Sequence, residues 1–238
     1  MDNSIPHSFV LVHGTNMGGW CWRRVADLLH KRGHIAFTPT LTGCGERSHL
    51  LNLDVDLDTH ITDVVNMIKW ERLTDVVLCG HSYGGWVISG VVERVPDLIR
   101  SIVYLDAFMP MDGQCGLDLQ SASSKEAVIA ARQAGELARL PGSVERYNIN
   151  SQDREWVESL LTPQPIGVSL QPIRLTGARD RVARKSYIRA TAWEFPHFQS
   201  CYDSLKGDAS WRGFELDCGH DVMIDMPNEL TDILIDVA

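Results

Sequence analysis

The chain has 238 residues, with 22 Lys and Arg against 31 Asp and Glu, a net charge of −9, and it is 44% hydrophobic. That apolar fraction excludes a disordered chain and allows one large domain or two small ones. The acidic balance argues against nucleic acid or an anionic membrane as the main partner, because phosphate attracts basic surfaces.

No apolar run approaches the roughly 20 residues that span a bilayer, and residues 1–6 lack the basic start and apolar stretch of a secretion signal. A cytoplasmic location is therefore expected. Cys21, Cys44, Cys79, Cys115, Cys201 and Cys218 are scattered with no CxxC, so free thiols are expected. No His/Cys spacing suits a metal ion, and no cofactor is expected.

In chain order, Ser8–Val12 reads as a buried strand, followed by a helix with Trp22, Val25 and Leu29 on one face. Residues 35–37 form a short second strand. Asp58 can cap a helix carrying Ile61, Val64, Val65 and Ile68 at helical spacing. Asp54 and Asp56 before it read as a solvated approach, and the glycine-rich residues 40–48 as a structural loop. A third strand covers residues 75–79. Ile88, Val91, Val92 and Val95 mark the next helix, and residues 102–105 the fourth strand. The rhythm then breaks from 107 to about 184. Ser123 and Glu126 suggest a capping box opening a helix through Leu140. Another helix starts near Ser151 with Trp156, Leu160 and Leu161, and residues 162–172 read as loop. Strands at 186–189 and 213–216 follow. Pro227 opens a last helix with Leu230, Ile233, Leu234 and Val237 inward. Alternating βα units imply an α/β fold, with a mostly parallel sheet covered on both faces. A helical lid is expected at about 107–184 within a single domain spanning 1–238.

Gly80-His81-Ser82-Tyr83-Gly84 matches G-x-S-x-G and lies between a predicted strand and a predicted helix. A sharp turn there exposes the Ser82 hydroxyl as a nucleophile and aims the Tyr83 N–H at the same point. Read without chemistry, the segment is a glycine-rich turn with a capping serine. The loop Val12-His13-Gly14-Thr15 follows the first strand, where a hydrolase places its second oxyanion donor, here the Thr15 N–H; His13 reads as structural. Of nine histidines, only His220 falls between the last strand and the last helix, where the base of a Ser…Asp/Glu…His order belongs. Asp221 beside it reads as a loop or capping residue.

These stretches, with Gly19-Trp20-Cys21-Trp22, Ala107-Phe108-Met109-Pro110 and Gly219-His220-Asp221-Val222-Met223, resemble the α/β-hydrolases. The likeness is to the branch of plant methylesterases, hydroxynitrile lyases and small bacterial esterases, and it runs along nearly the whole chain except the lid. The plant relatives carry their acid after the next-to-last strand, where this chain has no aspartate. Other α/β-hydrolases place it after the fourth strand, where Asp106 stands. Asp106 is the favoured acid and Glu194 the alternative. The resemblance implies a serine esterase acting on a small to medium hydrophobic ester, lactone or carbamate. The lid's apolar residues imply a hydrophobic pocket, with Gly14 and Trp156 as candidate substrate contacts and Trp86 near the turn. A homodimer is compatible with this composition. A hydroxynitrile lyase fits less well: the lyases have threonine at the place of Gly14 and lysine at that of Asp221. A cofactor-free dioxygenase and a non-catalytic ligand-binding protein are the remaining alternatives.

Overall fold

The computed structural model describes residues 6–238; residues 1–5, part of the stretch read above for a secretion signal, lie outside the described residues. Strand β1 (Ser8–Val12) leads through a 3₁₀ turn into α1 (Arg23–Lys31), followed by β2 (Ile35–Phe37), α2 (Leu57–Trp70), β3 (Val76–His81), α3 (Gly84–Arg94) and β4 (Ile99–Leu105). An insertion follows, with α4 (Ala122–Gln133), β5 (Ala138–Arg139), α5 (Arg154–Leu160), β6 (Gln164–Pro165), α6 (Gly167–Leu170) and α7 (Ala178–Arg181). The chain then returns to the sheet with β7 (Arg184–Ala190), α8 (Pro196–Ser204), β8 (Trp211–Leu216), α9 (Val222–Asp225) and α10 (Pro227–Asp236).

Six strands form one parallel sheet in the order β2-β1-β3-β4-β7-β8. Successive strand residues point to opposite faces. Val10, Val12, Leu78 and Tyr104 join the core under α2 and α3, while Phe9, Leu11, Cys79 and Leu105 join the core under α1 and α10. Burial on both faces explains why these strands read as continuous apolar runs. The strand order reverses between β1 and β3, and their C-terminal ends open a crevice there, the usual ligand position in such sheets. All six cysteines are free. No helix among the described residues is long and apolar enough to cross a membrane.

Several boundaries differ from the sequence reading, each for a local reason. Asp56, not Asp58, caps α2: its Oδ1 accepts the Thr59 N–H at 2.8 Å, and Thr59 Oγ1 accepts the Asp56 N–H at 3.3 Å. Asp58 lies in the first turn and pairs with Arg94 at 2.7 Å. Asp75 adopts φ +52° and so precedes β3 rather than joining it. The cap of α4 is Ser121, and the helix stops well before Leu140, with Gly135 at φ +81°. Residues 138–139 instead pair antiparallel with 164–165, so the insertion holds a small ribbon as well as helices. The expected loop at 162–172 contains β6 and α6. Strand β7 begins two residues before expectation, with Lys185 buried because its ammonium donates to the Asp180 and Val182 carbonyls.

The two candidate caps separate in stability. Asp56→Ala removes an N-cap and is expected to cost about 1 kcal/mol. Asp58→Ala removes an exposed pair and is expected to cost about 0.5 kcal/mol or less. Urea midpoints of the two variants check this; equal losses would assign the cap wrongly.

Candidate active site

Strand β3 runs directly into the Ser82 turn. Ser82 has φ +53°, a left-handed conformation that costs a non-glycine residue on the order of 1 kcal/mol or more and persists only where its surroundings hold it. Here the Ser82 N–H donates to the Leu105 carbonyl, and the Ser82 carbonyl accepts from Gly85 and Phe108. Gly85 has no room for a side chain: a Cβ would lie 2.1 Å from the Phe108 oxygen. The Tyr83 side chain is anchored away from the turn, its hydroxyl donating to His60 Nδ1 at 3.0 Å while His60 Nε2–H donates to the Thr42 carbonyl.

Asp106 ends β4 at φ +41° and is fully buried. Its Oδ2 accepts from His220 Nδ1–H at 2.6 Å, while Oδ1 accepts from Arg189 Nη1 at 2.6 Å and from the Ala190 N–H at 3.2 Å. Because a carboxylate only accepts, this fixes the His220 tautomer and leaves Nε2 as its basic nitrogen. The His220 ring packs against Trp193 at 4.1 Å and His81 at 4.4 Å between centroids, and is 4% exposed. Arg189 also donates to the Trp193 carbonyl at 2.7 Å, so one guanidinium holds both the carboxylate and the segment that covers the ring. Glu194 is exposed and has no hydrogen bond to His220.

Thr15 and Tyr83 both face the cavity, and neither backbone N–H has a hydrogen-bond partner among the described residues. The loop bearing Thr15 is strapped to the insertion. Asn16 N–H donates to Gln164 Oε1 at 3.0 Å, Asn16 Nδ2 to the Thr162 carbonyl at 2.8 Å, and Thr162 N–H returns to the Asn16 carbonyl. His13 is structural, as expected: Nδ1–H donates to the Gly14 carbonyl, Nε2 accepts from Leu41, and burial lowers its pKa to about 4.

Ser82, His220, Thr15 and Tyr83 share a cavity of about 570 Å³, within the range of small-molecule sites. Trp86, Phe108, Trp193 and Phe198 make its aromatic wall. Two expected contacts are not there. Trp156 packs edge-on against Trp20 and under Arg24, outside the cavity; its neighbours Val157 and Leu161 reach in instead. Gly14 backs the turn, where a Cβ would lie 2.8 Å from His81 Nδ1 and 3.0 Å from Ser82 Cβ. The insertion's share of the lining is also more polar than its composition suggests, with Gln120, Arg139 and Gln164 among it. Trp193, Arg189 and Asp221 gave no signal in sequence: an aromatic in a loop, a charge in a strand and an acid in a turn have many ordinary uses.

Asp221 is 1% exposed, and neither carboxyl oxygen has a hydrogen-bond partner among the described residues. Its nearest cationic candidate is His81 Nε2, at 3.7 Å, which instead donates to the His220 carbonyl at 3.0 Å. Burial drives the His81 pKa far down, so that ring is neutral. Burial raises Asp221 from 3.8 to about 7, aided by Asp225 and Asp106 and opposed by His220.

Comparison with known proteins agrees with the fold. The sequence profile of the alpha/beta hydrolase family matches residues 9–233. A carbendazim hydrolyzing esterase from Nocardioides sp. (strain SG-4G) is 41% identical over 95% of this chain and 98% of its own length. A putative chloroplastic methylesterase 14 from Arabidopsis thaliana is 28% identical over 79% of this chain and 59% of its own. Among solved structures, an extracellular alpha/beta-hydrolase from a Paenibacillus species superposes with a TM-score of 0.83 at 28% identity, covering 98% of this chain and 99% of that one. That protein is described as sharing structural and functional homology with tobacco salicylic acid binding protein 2.

Asp221 makes stability depend on pH. A carboxyl that ionises near 3.8 when unfolded and about 7 when folded keeps its proton in the folded state across that interval, so stability falls as pH rises through it and levels off above. Asp221→Asn removes this loss. The variant is expected to match the parent near pH 4 and to gain steadily towards pH 8, with a ceiling of about 4 kcal/mol. Thermal melts across that range check it; a pH-independent difference contradicts it.

Proposed function

The chain belongs to the alpha/beta hydrolase family and is a hydrolase, and from that premise we propose that it is a serine esterase working through an acyl-enzyme. The observation that carries the reading is the His220 to Asp106 hydrogen bond of 2.6 Å, opening onto the same cavity as the strained Ser82 turn. In the proposed cycle, His220 Nε2 takes the Ser82 proton as Oγ attacks the ester carbonyl. Asp106 stabilises the imidazolium that forms, held as an acceptor by Arg189 and Ala190. The free N–H groups of Thr15 and Tyr83 receive the oxyanion. His220 then protonates the departing alcohol, and a water activated by the same nitrogen releases the acid.

The substrate we propose is a small to medium ester, lactone or carbamate whose apolar part lies against Trp86, Phe108 and Trp193. The insertion between β4 and β7 acts as the lid. The name of the 41% identical esterase supports the ester class. Lyase chemistry is disfavoured by Asp221, an acid where a cyanide-holding cation would be needed.

Ser82→Ala is expected to lower turnover of a short-chain chromogenic ester by on the order of 10⁴–10⁶, and to abolish covalent labelling by a fluorophosphonate. Labelling that survives in the variant would place the nucleophile elsewhere. Asp106→Asn is expected to cost roughly 10⁴ in kcat, while Glu194→Gln stays within a factor of about two. Loss in the second variant alone would reverse the choice of acid.

A further inference from the structure

The roof of the cavity carries two buried donors that the proposed reaction does not use. Arg139 and Gln164 are directly paired in the β5/β6 ribbon, so their side chains share one face, and both line the cavity. Gln164 is 2% exposed. Its Oε1 is committed to the Asn16 N–H at 3.0 Å, which identifies the other terminal atom as the amide nitrogen. That Nε2 is buried and has no partner among the described residues. The same is true of Arg139 Nε.

The Arg139 guanidinium has one hydrogen bond among the described residues, from Nη1 to Gln120 Oε1 at 3.4 Å, and it forms no ion pair there. On its Nε and Nη2 edge, the side that meets a carboxylate with two parallel N–H bonds, the buried Nε therefore has no partner among the described residues. Burial lowers its pKa, opposed only by the Tyr147 hydroxyl and by no carboxylate. Tyr147 in turn stacks on His220 with centroids 5.6 Å apart. A desolvated cation and an orphaned amide cost free energy unless something completes them. In a chain of net charge −9 with 31 acidic residues, this cation has no carboxylate partner among the described residues.

We infer that Arg139 and Gln164 form an acceptor subsite for a carboxylate carried by the substrate, so that the preferred esters are monoanionic, of the half-ester type. The carboxylate takes the Nε and Nη2 edge of Arg139 and the Gln164 amide N–H, while the ester carbonyl meets Ser82. Arg139 and Gln164 are specificity residues and take no part in bond making. The reaction assignment rests on the serine-esterase reading; the binding assignment does not.

Two measurements decide it. The first compares kcat/KM for 4-nitrophenyl hydrogen glutarate with that for neutral 4-nitrophenyl valerate. Arg139→Gln is expected to lower the anionic-to-neutral ratio by about 10-fold or more, Gln164→Leu by less, and Arg139→Lys is expected to recover part of the loss. A ratio unmoved by Arg139→Gln overturns the inference. The second titrates monomethyl glutarate and dimethyl glutarate calorimetrically into the Ser82→Ala protein, with and without Arg139→Gln. The monoanion is expected to bind about 10-fold tighter only where Arg139 is present; equal affinities overturn the subsite. Failure to hydrolyse either nitrophenyl ester would sink the esterase reading and leave the binding comparison to decide the subsite.

Discussion

A fully buried carboxylate is tolerable in a protein only when its charge is met, and Asp106 is the group around which this sheet end is built. It sits at φ +41° after β4, with its two oxygens taken by an imidazole N–H, a guanidinium N–H and a backbone N–H. These donors come from the loop after β8, from β7 and from the end of β7, so one side chain registers three neighbouring strand ends. Remove the charge and Arg189 becomes a buried cation held only by carbonyls and the Gln199 amide oxygen. Remove Arg189 and the buried carboxylate loses its guanidinium partner.

That arrangement propagates to the ring above it. His220 is fixed at Nδ1 by Asp106, at its N–H by the Tyr147 carbonyl and at its carbonyl by His81. Trp193 then covers it, tethered by Arg189 on one side and by its own indole N–H to the Arg146 carbonyl on the other. The nearby Ser82 turn is held by Leu105, the residue immediately before Asp106, through the Ser82 N–H. Ser82 and Asp106 are thus set by neighbouring backbone at the ends of β3 and β4, with His220 brought to them from the loop after β8, which is why a strained serine is sustained there.

The sequence displayed the sheet because parallel strands buried on both faces leave long apolar runs, as in Ser8–Val12 and the stretch before Ser82. It displayed Ser82 and His220 because the turn needs glycine at closely packed positions and the base must follow the last strand. Asp106 was legible by its position after the fourth strand once the usual acid position proved empty. The bounds of the insertion were legible from the break in the strand–helix rhythm, but its interior was not. Its helices are short, its ribbon has two residues per strand, and the cap of α4 is one serine among Ser121, Ser123 and Ser124. Trp156 shows the limit of composition: a tryptophan next to the right helix can face Trp20 and Arg24 as readily as the cavity. Asp56 and Asp58 show it at a helix start, where backbone geometry, not residue type, selects the cap.

The unpartnered groups around the cavity separate into two kinds by what could complete them. Asp221 lies deep beside His220 and His81, with its oxygens closed off, so protonation is the route by which its burial is made tolerable. Arg139 has no such route at neutral pH, since a guanidinium keeps its proton even when partly desolvated. A ligand carboxylate is the group proposed to meet it. Gln164 links the two ends of the cavity, because the amide whose Nε2 faces the roof holds, through Oε1, the loop that bears Thr15. One side chain thus touches both the proposed carboxylate subsite and the loop of the proposed oxyanion donor.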